Sequence, residues 1–298
     1  MYEISQVRRV KRNLKNKFSS QFFFYLSINV QLFPMQIQLF LFIAERKEVL
    51  LVTGTPLDVG KQVEILDQTG QPKKCTSVQN FPTTLNYAFG GLLNNHLVIC
   101  GGTTAGTSTG SSSGSTNNCQ RRGNNGQWSP FGAELKVARF RGGSATVKIQ
   151  GEDFLWITGG YNSNGNLIKS TEVLSSYGTV ASGKDLPEVR GDHCMVVINN
   201  HVMVIGGYPY SDVGRSVIIF DSSNDFSHED GPSLIKKRWT QACSTMVSPA
   251  HEGRTVAVVA GGSGDASDTA EILDFTMPGS TWQLSEYLLF LSIIPFFY

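Results

Sequence analysis

FLWITGG, residues 154–160, is a run of bulky apolar side chains that ends in two glycines. The phrase returns as HLVICGG (96–102), HVMVIGG (201–207) and TVAVVAGG (255–262), and in a shorter form as VLLVTG (49–54). Apolar runs this short, rich in Val and Ile and without a 3.6-residue period, read as buried strands. Their first glycines fall at 54, 101, 159, 206 and 261. Recurrence at this spacing marks a repeat architecture, in which each unit shields its apolar face only by leaning on its neighbours. The longest step carries TTAGTSTGSSSGSTNN (103–118), a low-complexity loop that accounts for its excess length. Glycine adopts positive φ and lets backbones approach closely. The pairs Gly101–Gly102, Gly159–Gly160, Gly206–Gly207 and Gly261–Gly262 therefore predict tight exits between antiparallel strands.

Further pieces recur at fixed places after the glycines. A second short strand-like run follows, as VEILD (63–67), TEVL (171–174), VIIFD (217–221) and AEILD (270–274). An indole comes next in two units, Trp128 and Trp282, and then an LP-like step leads to a basic or polar residue and another apolar run, as in LPEVRGDHCMVVI (186–198). Composition agrees with many short strands: 31 glycines in 298 residues, and only 16% charged residues. Those figures exclude a coiled coil, a charged disordered chain and a helical bundle. The formal net charge of +1, from 25 basic and 24 acidic residues, offers no electrostatic argument for nucleic acid.

This constellation resembles the kelch repeat, over roughly residues 48 to 283. The resemblance rests on the glycine pair, the following Glu/Ile-Leu run, Trp128 and Trp282, and the LP-to-Arg step. It implies an all-β, kelch-type β-propeller of about five recognisable blades, each a four-stranded sheet packed about a central channel. The glycine-ended runs become second strands, the runs at Glu172 and Glu271 third strands, and the stretches beginning near Arg139, Arg190 and Arg238 innermost strands. The departures are Thr55 in place of a second glycine, Cys75 where a tryptophan is expected, and units three and four without their tryptophan. An aromatic tail (284–298) also stands where an innermost strand should follow Trp282, so an incomplete ring is expected.

The resemblance also places the cysteines. Cys100 ends a second strand and Cys119 lies where its antiparallel neighbour should begin, so a bridge between them would close the Ser/Gly loop. Cys194 and Cys243 occupy nearly equivalent positions on successive innermost strands. The oxidised reading of these four is preferred to five buried thiols, although no N-x-S/T sequon accompanies it. With no CxxC pair and no Cys/His set at zinc-finger spacing, neither a structural metal nor a cofactor is expected.

Residues 1–47 differ from the rest. Arg8, Arg9, Lys11, Arg12, Lys15 and Lys17 form a basic run ahead of an apolar stretch, 22–44. As a helix that stretch is long enough to cross a bilayer, and it is the only expected membrane contact. It points to the secretory pathway, with the rest extracellular or lumenal. The alternatives are an extra strand, since Val30, Leu32, Ile37, Leu39 and Leu41 sit at strand-like spacing, or a mis-assigned exon.

Enzymatic readings are weak. GTSTG (106–110) and GSSSG (110–114) match G-x-S-x-G, but the motif acts only at a sharp strand-to-helix turn. A copper radical oxidase, some of which are kelch propellers, would need Tyr, His and Cys converging on one ion, and no motif joins them here. The RGD triplet at Arg190 lies at the entrance to an expected innermost strand and reads as structural. Propellers bind through loops at one face. Tyr161, Asn162, Tyr208 and Tyr210, directly after glycine pairs, together with Arg139, Arg190 and Arg238, are therefore the expected contacts to a protein or peptide partner. The competing expectation for the arginines is that they brace strands. A second functional class is the target-binding part of a cullin-type ubiquitin ligase adaptor, without its BTB region.

Overall fold

The computed structural model describes residues 79–104, 114–266 and 268–285, together with the backbone of strands Tyr25–Leu32, Met35–Phe42, Val49–Val52 and Val63–Leu66. Gly54, Cys75, the middle of the Ser/Gly loop with both G-x-S-x-G matches, the basic run and the aromatic tail beyond 285 lie outside the described residues. Within them the chain is all-β, with two short 3-10 turns and no α-helix.

Four antiparallel four-stranded meanders follow one another. Sheet I runs Phe89–Leu93, His96–Cys100, Asn118–Arg122, Trp128–Glu134. Sheet II runs Gly143–Ile149, Glu152–Thr158, Thr171–Ser175, Val180–Ser182. Sheet III runs Cys194–Ile198, His201–Ile205, Val217–Asp221, Ser227–Asp230. Sheet IV runs Ala242–Ser248, Arg254–Ala260, Ala270–Leu273, Gln283–Leu284. Each of the four runs that end in a glycine pair is the second strand of its sheet, and Val49–Val52 pairs with Val63–Leu66 as the corresponding runs do elsewhere.

The second strands of sheets II and III are apolar on both faces because a neighbouring sheet covers each face. Val98, Cys100, Leu155, Ile157 and Leu174 fill the layer between sheets I and II. Val147, Trp156, Met195, Val204 and Phe220 fill that between II and III, and Cys194, Ile205, Val217, Val259 and Leu273 that between III and IV. Burying one such side chain contributes ~1.5–3 kcal/mol, a gain that no sheet reaches alone. The indoles close their own units: Trp128 Nε1 donates to Gln79 O (3.2 Å) and Trp282 Nε1 to Pro232 O (2.8 Å).

The double glycine is the joint between sheets. At Gly159–Gly160, with φ of 55° and 89°, the first N–H donates to Ser170 O (3.1 Å) within sheet II. The second donates to Arg190 O (2.8 Å), at the start of the next unit. A Cβ on Gly159 would collide with that same carbonyl. Gly102 and Gly207 repeat the second bond, to Arg139 O (2.8 Å) and Arg238 O (2.9 Å).

Both cysteine pairs are bridged. Cys100 and Cys119 stand opposite each other on neighbouring strands of sheet I, Cα atoms 4.1 Å apart. Cys194 and Cys243 join the first strands of sheets III and IV, Cα atoms 6.0 Å apart. In the N-terminal apolar stretch, Tyr25–Leu32 pairs with Met35–Phe42 and, through Leu26 and Ser27, with Ser244 and Cys243 of sheet IV. Its described backbone is thus strand, the alternative that the alternating apolar spacing raises. Among the described residues no helix is long and apolar enough to cross a membrane.

Candidate interaction surface

Arg139, Arg190 and Arg238 do not reach this surface: each is 0% exposed. They are braces built to one plan. Arg139 donates to Gly159 O (3.1 Å), Ser170 O (2.6 Å) and Glu172 Oε1 (2.8 Å). Arg238 donates to Gly261 O (2.9 Å), Thr269 O (3.1 Å) and Glu271 Oε1 (2.6 Å). Each glutamate also accepts two backbone N–H groups just upstream of its arginine, from Lys136 and Val137 for Glu172 and from Ile235 and Lys236 for Glu271. Unit III breaks the plan for a chemical reason. Pro187 stands where Lys136 and Ile235 donate, and proline has no N–H. Ile218 occupies the glutamate position, opposite Val204 in register. Glu188 supplies the carboxylate to Arg190 instead, at 2.8 Å, while Arg190 keeps its bond to Gly206 O (2.9 Å). Burial pulls all three guanidinium groups below their ordinary basicity, partly offset by the carboxylates.

The residue two places after each brace is what comes to the end of the sheets. Tyr87, Arg141, Asp192 and Thr240 share that position and a left-handed backbone, φ of 54–57°. Their peptides hand hydrogen bonds from unit to unit: Arg141 N to Tyr87 O (3.1 Å), Asp192 N to Arg141 O (2.6 Å), Thr240 N to Asp192 O (2.8 Å). Beside them run Thr103, Tyr161, Tyr208 and Ser263, each two residues past a first glycine and each bridged to the residue after the brace position.

Two side-chain clusters result. In the first, Arg141 Nε donates to Asp192 Oδ1 (2.6 Å), and its guanidinium lies 5.0 and 5.7 Å from the ring centres of Tyr87 and Tyr161. Tyr161 OH donates to Asp192 Oδ2 (3.4 Å), and its ring stacks on Phe140 at 5.6 Å. Asp192 is buried, whereas the Arg141 side chain is 23% exposed. Burial raises the Asp192 carboxyl above the usual range even against Arg141. Burial, then the Asp192 charge, raises the Tyr161 phenol. Desolvation lowers Arg141, but Asp192 outweighs it and the net direction is up. The group therefore presents a fixed cation framed by two aromatic rings.

In the second cluster Tyr210 donates to Asp265 Oδ1 (3.0 Å), meets Trp239 edge-to-face at 4.7 Å and lies 5.4 Å under Lys237 Nζ. Tyr208 and Tyr210 are 42% and 39% exposed. Asn162 spends its side-chain oxygen on its own turn, accepting from Asn164 N and Asn166 N, both at 3.0 Å. Spacing from the arginines would have located Arg141, Trp239 and Asp192, the last noticed only within RGD.

Among the described residues no group of three His, Cys, Asp or Glu gathers as a metal site. Among the described residues two hydroxyl–imidazole contacts occur, Thr158–His193 (2.7 Å, buried) and Ser248–His251 (2.8 Å, between a strand end and the 3-10 turn that follows it). Neither imidazole is hydrogen-bonded to a carboxylate among the described residues. No protein-family model matches the chain. No characterised protein matches it in sequence either.

Proposed function

We propose that this chain is a kelch-type β-propeller serving as a non-catalytic module, which binds a protein or peptide through the end that carries the two clusters. The observation that carries this reading is the preorganised group Tyr87–Arg141–Tyr161–Asp192, continuous with the exposed Tyr208 and Tyr210. Tyrosine, tryptophan and arginine held rigid lose little entropy on binding and dominate interface hot spots. The left-handed relay beneath them fixes their backbone, so the geometry exists before a partner arrives. The kelch assignment is supported by the recurrence of one joint, one brace position and one relay position through successive sheets.

Photocrosslinking tests the reading. A benzophenone amino acid at position 208 or 210 is expected to trap one recurrent protein in the native milieu. The same probe at Tyr177, 78% exposed on a turn of sheet II, is expected not to. Equal trapping at all three positions, or none, overturns the proposal. Once the trapped partner is in hand, Arg141→Ala is expected to weaken its binding by ~2 kcal/mol or more, the scale of a hot spot.

A further inference from the structure

We propose that the Cys194–Cys243 disulfide is a thiol-reducible clasp between sheets III and IV, whose opening loosens the relay bond between Asp192 and Thr240. The two bridges of this chain sit in different settings. Cys100–Cys119 joins strands already paired in one sheet, is 0% and 2% exposed, and lies among Phe89, Leu93, Leu135 and Leu155. Cys194–Cys243, 7% and 3% exposed in the apolar layer between sheets III and IV, differs in that it joins two strands that share no ladder pairing among the described residues. Opening the first leaves its ladder in place. Opening the second removes the only disulfide across its layer among the described residues.

A polar group also waits at one sulfur. Gln241 Nε2 lies 3.7 Å from Cys194 Sγ and is aimed by its bond to Ile205 O (2.6 Å). A donor at sulfur favours the thiolate, and a more stable thiolate is the better leaving group. Among the described residues nothing comparable reaches Cys100 or Cys119. The clasp also stands next to the relay: Cys194 follows Asp192 by two residues, Cys243 follows Thr240 by three, and Thr240 N donates to Asp192 O.

The reductant is a low-molecular-weight thiol of the glutathione class. Its thiolate attacks Cys243 Sγ, the S–S bond breaks, and the electron pair leaves on Cys194 Sγ. A second thiol attacks the small-molecule sulfur of the mixed disulfide, releasing the oxidised thiol dimer and the Cys243 thiolate. Two electrons enter the protein, and both thiolates take protons from solvent.

The full chain is equilibrated in graded ratios of reduced to oxidised glutathione, quenched by alkylation and mapped by mass, with Cys75 read separately. Cys194 and Cys243 are expected to open at a ratio at least tenfold lower than Cys100 and Cys119, with far-ultraviolet dichroism unchanged. Hydrogen exchange of the 238–243 segment is expected to quicken at least tenfold over the same range, and that of 96–100 to stay constant. Simultaneous opening of both bridges, prior opening of Cys100–Cys119, or opening without faster exchange at 238–243 overturns the proposal. In Cys243→Ser, Gln241→Leu is expected to move the alkylation pH midpoint of Cys194 upward. An unchanged midpoint means that Gln241 does not favour the thiolate. If that variant does not fold, Gln241→Leu in the intact chain decides the same point through the glutathione ratio at which the clasp opens.

Discussion

Replacing Arg238 by leucine tests the brace most directly. The guanidinium and Glu271 are both 0% exposed and 2.6 Å apart. Removing one partner strands a buried carboxylate that still holds Ile235 N and Lys236 N, and leaves Gly261 O and Thr269 O without their arginine. Breaking a buried pair in this way costs ~3–5 kcal/mol. For a chain of this size even the lower figure corresponds to a melting shift of roughly 6–12 °C. Sheet I supplies the control. Leu85 stands at the brace position there, and Gln120, opposite Ile99, at the glutamate position. Arg238→Leu combined with Glu271→Gln is therefore expected to be no less stable than Arg238→Leu alone, a coupling of ~3 kcal/mol. Thermal melts of the four proteins of the cycle measure it. A shift below ~2 °C for Arg238→Leu, or strict additivity in the double variant, would refute the brace.

Other outcomes follow from the same geometry. Gly160→Val places a branched side chain at φ 89° with its Cβ 2.5 Å from Phe140 O, and is expected to cost at least ~2–3 kcal/mol in a denaturant titration. His193 is buried and, by desolvation and then the Arg190 charge, held well below its ordinary pKa. The unfolded chain therefore binds a proton that the folded one refuses. Stability is full above pH ~6.5 and falls by about 1.4 kcal/mol per unit as pH drops further. Asp192, raised by burial above the usual carboxylate range, opposes that slope as pH falls through its raised folded value. His193→Gln is expected to flatten the loss between pH 6.5 and 5, and an unchanged slope assigns it elsewhere. Cys100→Ala with Cys119→Ala is expected to cost roughly 2–4 kcal/mol from the 19-residue separation, read as a lower urea midpoint.

The strands were legible because both faces of the second strands in sheets II and III are covered, so their apolar runs show in sequence without interruption. The glycine joints were legible because no other residue fits Gly159 or Gly160. The arginines were harder. A charge in sequence does not announce its destination, and the partner of Arg139 or Arg238 lies 33 residues downstream. That spacing becomes visible only when units are aligned, and Pro187 with Ile218 erases it in the unit that carries RGD. The relay was not legible at all. Tyr, Arg, Asp and Thr share no chemistry at that position, only a backbone angle imposed by the neighbouring unit. Tyr161, Asn162, Tyr208 and Tyr210 lay where the glycine exits predicted. The cation beside them was missed because it follows the conspicuous arginine by two places.

The first glycine of each joint has a consequence for what the chain tolerates. Its N–H closes onto Asn118 O, Ser170 O, Ser216 O or Thr269 O, so each excursion between second and third strands is pinched shut at its root. Whatever happens inside the pinch, from the short path of 261–269 to the long one of 101–118, leaves the sheet registers beyond it untouched. These excursions are sockets: foreign segments spliced there are expected to fold or flail on their own account, while the stacked sheets carry on unaware of the insert.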